Sequence, residues 1–194
     1  MILFYSPGAC SLAVHIALIE AEMSYRLVSV TRDKQTSDGR DFLAINPRGF
    51  VPTLELDDET GLAEALAILV YVAHQTGRLL PENGPVRWQA LEATSFMTTE
   101  IHGNFKPFWR NAPEPEKENA RQMLLKHFEI LATQLGDKRY FTGDQMTIAD
   151  PYLFVMLLWA SMQGIKVSKA FEPYFARMKA LPSVARALAE EGLV

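Results

Sequence analysis

Apolar residues open the chain as a short run, Ile2–Tyr5, rich in strand formers and closed by Ser6-Pro7-Gly8. From Ser11 the rhythm changes. Leu12, Ile16 and Ile19 recur at helical intervals, and Val14, Ala17, Leu18 and Ala21 widen the face. Residues 25–31 read as a second strand, with Leu27 beside the β-branched Val28 and Val30. The polar stretch RDKQTSDGRD leads into a short helix at 42–45, ended by Asn46-Pro47-Arg48-Gly49. Residues 51–56 form a strand with Pro52 at its mouth, 57–61 a hairpin-like turn, and 63–74 a helix. Two strands joined through a helix are expected to be parallel, with the hairpin adding an antiparallel edge.

Residues 77–85 are dense in glycine and proline and read as a linker. Beyond them the pattern is helical throughout, over 87–105, 116–135, 148–162, 172–180 and 184–191. The expectation is a mixed α/β domain over residues 1–78 followed by an all-α domain over 86–194.

Composition narrows the function classes. With 19 Lys+Arg against 23 Asp+Glu the net charge is −4, which argues against a nucleic-acid binder and its basic patch. Residues 1–10 carry no basic residue ahead of their apolar stretch, so no signal peptide is expected. The longest apolar run, 152–160, is too short to span a bilayer, so no membrane partner is expected. The single cysteine excludes an internal disulfide and fits a reducing compartment. A cytoplasmic protein is the expectation, and no metal site is read from the chain.

Three groups of residues carry candidate chemistry, and a polar helical stripe becomes a fourth only through a family resemblance. Cys10 falls between a turn and a helix, where unpaired N–H groups and the helix dipole favour a thiolate. A buried structural cysteine is the other reading. Pro52 enters a strand without an N–H, and a cis bond there would leave the Val51 backbone open to an extended ligand. Base rates favour a trans bond. Glu64 and Ala65 start a helix, a place that suits an acid structurally and an anion or ammonium ligand functionally. On the first helix of the second half, Ser95, Thr99, His102 and Lys106 fall at i, i+4, i+7 and i+11 and would share one polar stripe. Thr147 and Asp150 fit a capping box with a folding role.

These features in this order resemble the cytosolic glutathione transferases, and among them the bacterial beta class. The resemblance rests on FYSPGACSLAVHIAL, GRDFLAINPRGFVPTLELDD, LAEALAILVYVA, FTGDQMTIADPYLF and LPSVARAL, and it runs over essentially the whole chain. It implies a thioredoxin-like N-terminal domain, an all-α second domain, a homodimer and glutathione as cosubstrate. It places the thiol position on Cys10 and the cis-proline on Pro52. It gives Val51 the strand-like contact to the glutathione backbone, and Glu64 with Ala65 the γ-glutamyl end. Lys34 falls near the glycyl carboxylate and Tyr5 beside the thiol. Ser11 is a possible donor to the glutathione sulfur. Ser95 and Thr99 join the glutathione site, and His102 faces the sulfur. Phe105, Lys106 and Trp109 mark a second-substrate site. Ala65, Gly103 and Ser95 depart from residues common in the class. The activity implied is thiol–disulfide exchange, conjugation of glutathione to small electrophiles, or both, and a cysteine at the thiol position favours exchange with weak general conjugation. The alternatives are a non-catalytic binding protein on the same fold and a dedicated glutathione-dependent dehalogenase or isomerase.

Overall fold

The computed structural model describes residues 1–194, which divide into two compact units, Met1–Leu80 with Ala180–Val194 and Pro81–Lys179. The first unit holds a four-stranded sheet of β1 (Ile2–Tyr5), β2 (Arg26–Ser29), β3 (Thr53–Glu55) and β4 (Gly61–Ala63), in the order β2-β1-β3-β4. β1 and β2 run parallel with Phe4 opposite Val28, and β1–β3 and β3–β4 are antiparallel. This is the thioredoxin-like arrangement expected. β4 takes up Ala63, so the helix after the hairpin starts two residues later than its composition suggests. On the sheet, Phe4, Val28, Val30 and Phe42 form one cluster with Ile2, Ile45 and Val51 against it. Phe42 comes from α2 (Phe42–Ile45), whose first turn is capped by the Asp41 side chain accepting from Leu43 N–H.

The parallel strands are joined by α1 (Ser11–Glu20), in which every residue from Ser11 to Leu18 is buried. One apolar face would not need this. α1 is covered both by α3 (Ala65–Thr76) and by the C-terminal α9 (Pro182–Glu190). His15, with no exposed surface, meets Glu191 at 3.0 Å through Nδ1 and Glu190 at 2.8 Å through Nε2. The other Glu191 oxygen accepts from Gly8 N–H at 2.9 Å. These bonds tie the last helix to the first unit, whereas its sequence groups it with the helical domain. Periodicity identifies a helix and its apolar face, not which core that face joins.

The second unit is all-helical: α4 (Pro85–Phe96), α5 (Lys106–Trp109), α6 (Glu114–Leu135), α7 (Ala149–Met162) and α8 (Phe171–Lys179). α7 is the buried element, enclosed on all sides from Ala149 to Leu157. Asp150 on its first turn accepts from Thr147 N–H and Phe141 N–H, both at 2.7 Å, and from Tyr174 OH at 2.9 Å. This is the return half of the expected capping box. Burial raises its carboxyl to about 6 in spite of these bonds.

The helix expected over 87–105 is interrupted. α4 ends at Phe96, a π turn runs Met97–Ile101, a 3-10 turn His102–Phe105, and α5 begins at Lys106. Thr98 and Thr99 return their hydroxyls to the Ser95 carbonyl at 2.8 and 3.1 Å. Pro107 has no N–H to continue an α-helical ladder through Gly103. The extra residue of a π turn sets later side chains back by roughly 100° around the axis, so the even stripe from Ser95 to Lys106 does not survive. No helix is long and apolar enough to cross a membrane.

Candidate functional site

In the first unit the chemistry gathers where β1 turns into α1. Cys10 sits at the helix N-cap with 8% of its surface exposed, and its Sγ donates to the Val51 carbonyl at 3.4 Å. Burial pushes the thiol up to about 12, against the pull of the Cys10 and Ser11 backbone N–H groups and with a smaller push from Glu64. The sequence placement argued for a lowered value. The N–H groups are there and act in that direction, but desolvation of a thiolate outweighs them. At pH 7 the free protein therefore holds Cys10 as a thiol.

The carbonyl that takes the thiol belongs to the Val51–Pro52 bond, which is cis. Its loop is held by Asn46, whose Nδ2 donates to the Phe50 carbonyl and to Thr53 Oγ1 at 2.9 Å each. Asn46 Oδ1 accepts from Arg48 N–H at 3.1 Å. Gly49 turns the loop at φ +67, where an added Cβ would lie 3.1 Å from Leu43. Lys34 donates to the Gly49 carbonyl at 2.7 Å and reaches over the Phe50 ring, so its ammonium lies on this loop. Glu64 precedes α3 at φ 71, a conformation that costs a non-glycine residue about 1 kcal/mol or more, and its side chain is 75% exposed. Ala65 follows as the first residue of α3, where backbone N–H groups lack helical partners.

Two residues assigned by resemblance lie differently. Ser11 is fully buried and its hydroxyl bonds the Ser6 backbone N–H and carbonyl at 3.3 Å each. It braces the turn before Cys10 and offers no exposed donor to a sulfur. The Tyr5 ring lies against His15, and its phenol is raised by burial and then by the Glu191 and Glu190 carboxylates. It belongs to the α1–α9 contact.

In the second unit the π turn delivers His102 to a group of rings. Its Nδ1 lies 2.8 Å from Tyr152 OH. Trp159 and Trp109 stand edge-on to it, with centroids at 5.0 and 5.7 Å. Phe105 stacks on Trp109. Burial, then the Lys106 ammonium, lowers His102 to about 4, so the imidazole is neutral at physiological pH. Ser95 and Thr99 are exposed, with Thr99 bonded to the Ser95 carbonyl, and Lys106 is exposed one turn beyond His102.

Residues 8–75 match the glutathione S-transferase N-terminal domain, and residues 64–182 match the glutathione S-transferase C-terminal domain. The chain belongs to the glutathione S-transferase family. It is 40% identical to glutathione S-transferase GstA of Escherichia coli O157:H7, over the full length of both. Its fold superposes on a ternary complex of BphK, a bacterial GST, with a TM-score of 0.94 at 39% identity, covering 99% of this chain and 100% of the other. A sphingomonad glutathione S-transferase complexed with glutathione gives 0.92 at 38% identity over the whole of both chains. The beta-class transferase of Sphingomonas chungbukensis gives 0.92 at 37%, again over the whole of both. The beta-class resemblance drawn from the motifs is thus borne out at the level of family and fold.

Set on a glutathione S-transferase frame, the residues that motif reading missed are those that hold others in place. Asn46 fixes the loop bearing Val51, and an asparagine ahead of a proline was a readable sign of that turn. Tyr152 and Trp159 surround His102 from α7, 50 or more positions away, and no local signal points to them.

Proposed function

We propose that the protein is a beta-class glutathione transferase that binds glutathione beside Cys10 and transfers its sulfur to small electrophiles. The observation that carries this is the contact of the Cys10 thiol with the Val51 carbonyl at a cis-proline loop, in a chain related to these enzymes along its whole length. An extended γ-glutamyl peptide pairs with the Val51 backbone, displacing that internal contact. Its γ-glutamyl end lies at Glu64 and the α3 N-terminus, and its glycyl carboxylate toward Lys34. The Cys10 S–H then serves the glutathione sulfur as a neutral donor, and the family resemblance gives the neutral His102 imidazole the same part. Each stabilises a thiolate by hydrogen bonding without carrying charge itself. The thiol proton of glutathione passes to solvent. The thiolate attacks the electrophilic carbon, the C–S bond forms, and the leaving group departs with its electron pair. Trp109 and Lys106, both exposed, line the place for that second substrate, while Phe105, expected there from the resemblance, has no exposed surface and only backs the Trp109 ring.

Thiol–disulfide exchange is the slower activity of the same site. It needs a Cys10 thiolate to attack glutathione disulfide, giving the mixed disulfide and one released glutathione thiolate, and burial disfavours that ion. We also read the protein as a cytoplasmic homodimer, with Phe50 at 73% and Trp88 at 67% exposure as apolar surface for a second copy. Light scattering at twice the chain mass supports the dimer, and a monomer removes it. Calorimetric titration with glutathione, followed by conjugation to a chlorodinitrobenzene, tests the transferase reading. An absence of glutathione binding at millimolar concentration would sink it. Intact mass after incubation with glutathione disulfide tests the exchange, where one adduct is expected on the wild type and none on Cys10→Ala.

A further inference from the structure

Tyr152 is 1% exposed on the buried face of α7, and a phenol there needs a hydrogen-bond partner. Its hydroxyl meets His102 Nδ1 at 2.8 Å, while His102 Nε2 bonds nothing within the chain and keeps access to solvent. Two arrangements satisfy that distance. Either the phenol donates to a bare Nδ1, or a protonated Nδ1 donates to the phenol oxygen. A phenol O–H is far more acidic than an imidazole N–H, and an imidazole nitrogen is far more basic than a phenol oxygen. The matched pair is therefore O–H to Nδ1. Trp159 and Trp109 stand edge-on to the imidazole, with centroids at 5.0 and 5.7 Å.

We propose that Tyr152 is a positioning residue: its hydroxyl donates to His102 Nδ1, holding the ring as the Nε2–H tautomer and making Nε2–H the donor that His102 presents to a ligand sulfur. This rests on the reading above that His102 serves the glutathione sulfur, and it names the atom that does so. The other tautomer would present a lone pair to a thiolate, a repulsive contact. The phenol therefore decides whether His102 helps or hinders.

Nitrogen-15 correlation spectra of the histidine-labelled protein without glutathione test the tautomer, with His102→Gln identifying the His102 signals among the four histidines. The wild type is expected to show a protonated Nε2 and a bare Nδ1 displaced upfield by an accepted hydrogen bond. Tyr152→Phe, which keeps the ring and its packing, is expected to move Nδ1 downfield toward a free basic nitrogen. In glutathione conjugation it should lower kcat roughly fivefold, the worth of one hydrogen bond, with KM for glutathione little changed. In a His102→Gln background, Tyr152→Phe should cost nothing further. A wild-type ring protonated at Nδ1, a Nδ1 signal unmoved by Tyr152→Phe, or an equal loss in the His102→Gln background overturns the assignment. Should the variant not fold, the wild-type spectrum alone still decides the tautomer. Full activity in His102→Gln with the nitrogen signals as expected overturns the role at the sulfur, separately from the hydrogen bond.

Discussion

Cys10 and His102 lie in different units, yet burial treats them alike. It raises the thiol to about 12 and lowers the imidazole to about 4, so both are uncharged across the physiological range. They differ in what holds them. Cys10 is surrounded by backbone: the Val51 carbonyl, its own N–H and that of Ser11. His102 is surrounded by side chains from distant positions, Tyr152, Trp159 and Trp109. A polar group can thus be kept neutral by a short local turn or by an assembled aromatic group. The two should respond to different perturbations.

The largest separation is expected from Glu191→Ala. Glu191 is buried, bonds His15 and Gly8, and so braces both α1 and the turn before Cys10. Its removal leaves a buried imidazole and a backbone N–H without this acceptor, a loss of roughly 3 kcal/mol or more. The urea midpoint should fall and Cys10 should alkylate faster, while the His102 nitrogen signals stay in place. An unchanged midpoint would show that the α9 contact does not brace the thiol turn.

The second effect sets the acid limit. The folded His102 value lies below the ordinary 6.5, so its contribution to stability is present above 6.5 and is lost as pH falls toward 4. The full loss is about 3 kcal/mol. Asp150, raised to about 6, works in the opposite sense over the same range, because the unfolded chain releases its proton first. Total stability therefore mixes the two. The difference between wild type and His102→Gln isolates the imidazole, since Asp150 is common to both. That difference should shrink from pH 6.5 to 4, and a flat difference would mean His102 is not kept neutral by the fold.

The same contrast explains what could be read from the residues alone. The parallel pair, the antiparallel hairpin and the thiol position follow from local signals: turn residues and a change of period at Ser11. The cis bond at Pro52 did not, because residue statistics favour trans there and only the family resemblance implied cis. The direction of the Cys10 shift did not follow, because position near a helix terminus is local and depth of burial is not. On the second helix run, Gly103 and Pro107 mark a break, but the π turn that rotates His102 inward depends on packing against α7. The home of α9 was hidden for the same reason. The packing of α9 on α1 and the bonds of His15 to Glu190 and Glu191 assign that helix to the first unit.

The single thiol makes a third test clean. At pH 8, iodoacetamide should alkylate folded Cys10 on the order of a hundredfold more slowly than the same residue in urea, after allowing for the greater nucleophilicity of a more basic thiolate. Steric shielding would also slow the reaction, but equally at every pH. A raised thiol instead gives a rate that climbs about tenfold per pH unit beyond pH 10. A plateau with a midpoint below 9 would contradict burial as the dominant influence.

The smallest effect asks whether charge or burial holds His102 neutral. Lys106 is exposed one turn away, and its ammonium is the second influence after desolvation. A solvent-exposed charge acts through high dielectric and is screened by salt. Lys106→Gln should therefore raise the His102 titration by only roughly half a pH unit at low ionic strength, and by less in 1 M salt. The Cys10 alkylation profile should not move. If instead the variant restored His102 to its ordinary value, the charge would be the main cause, and the aromatic group around the ring would serve packing rather than protonation. A small, salt-sensitive shift keeps Trp109 and Trp159 as the reason the ring stays neutral, because only desolvation is indifferent to salt.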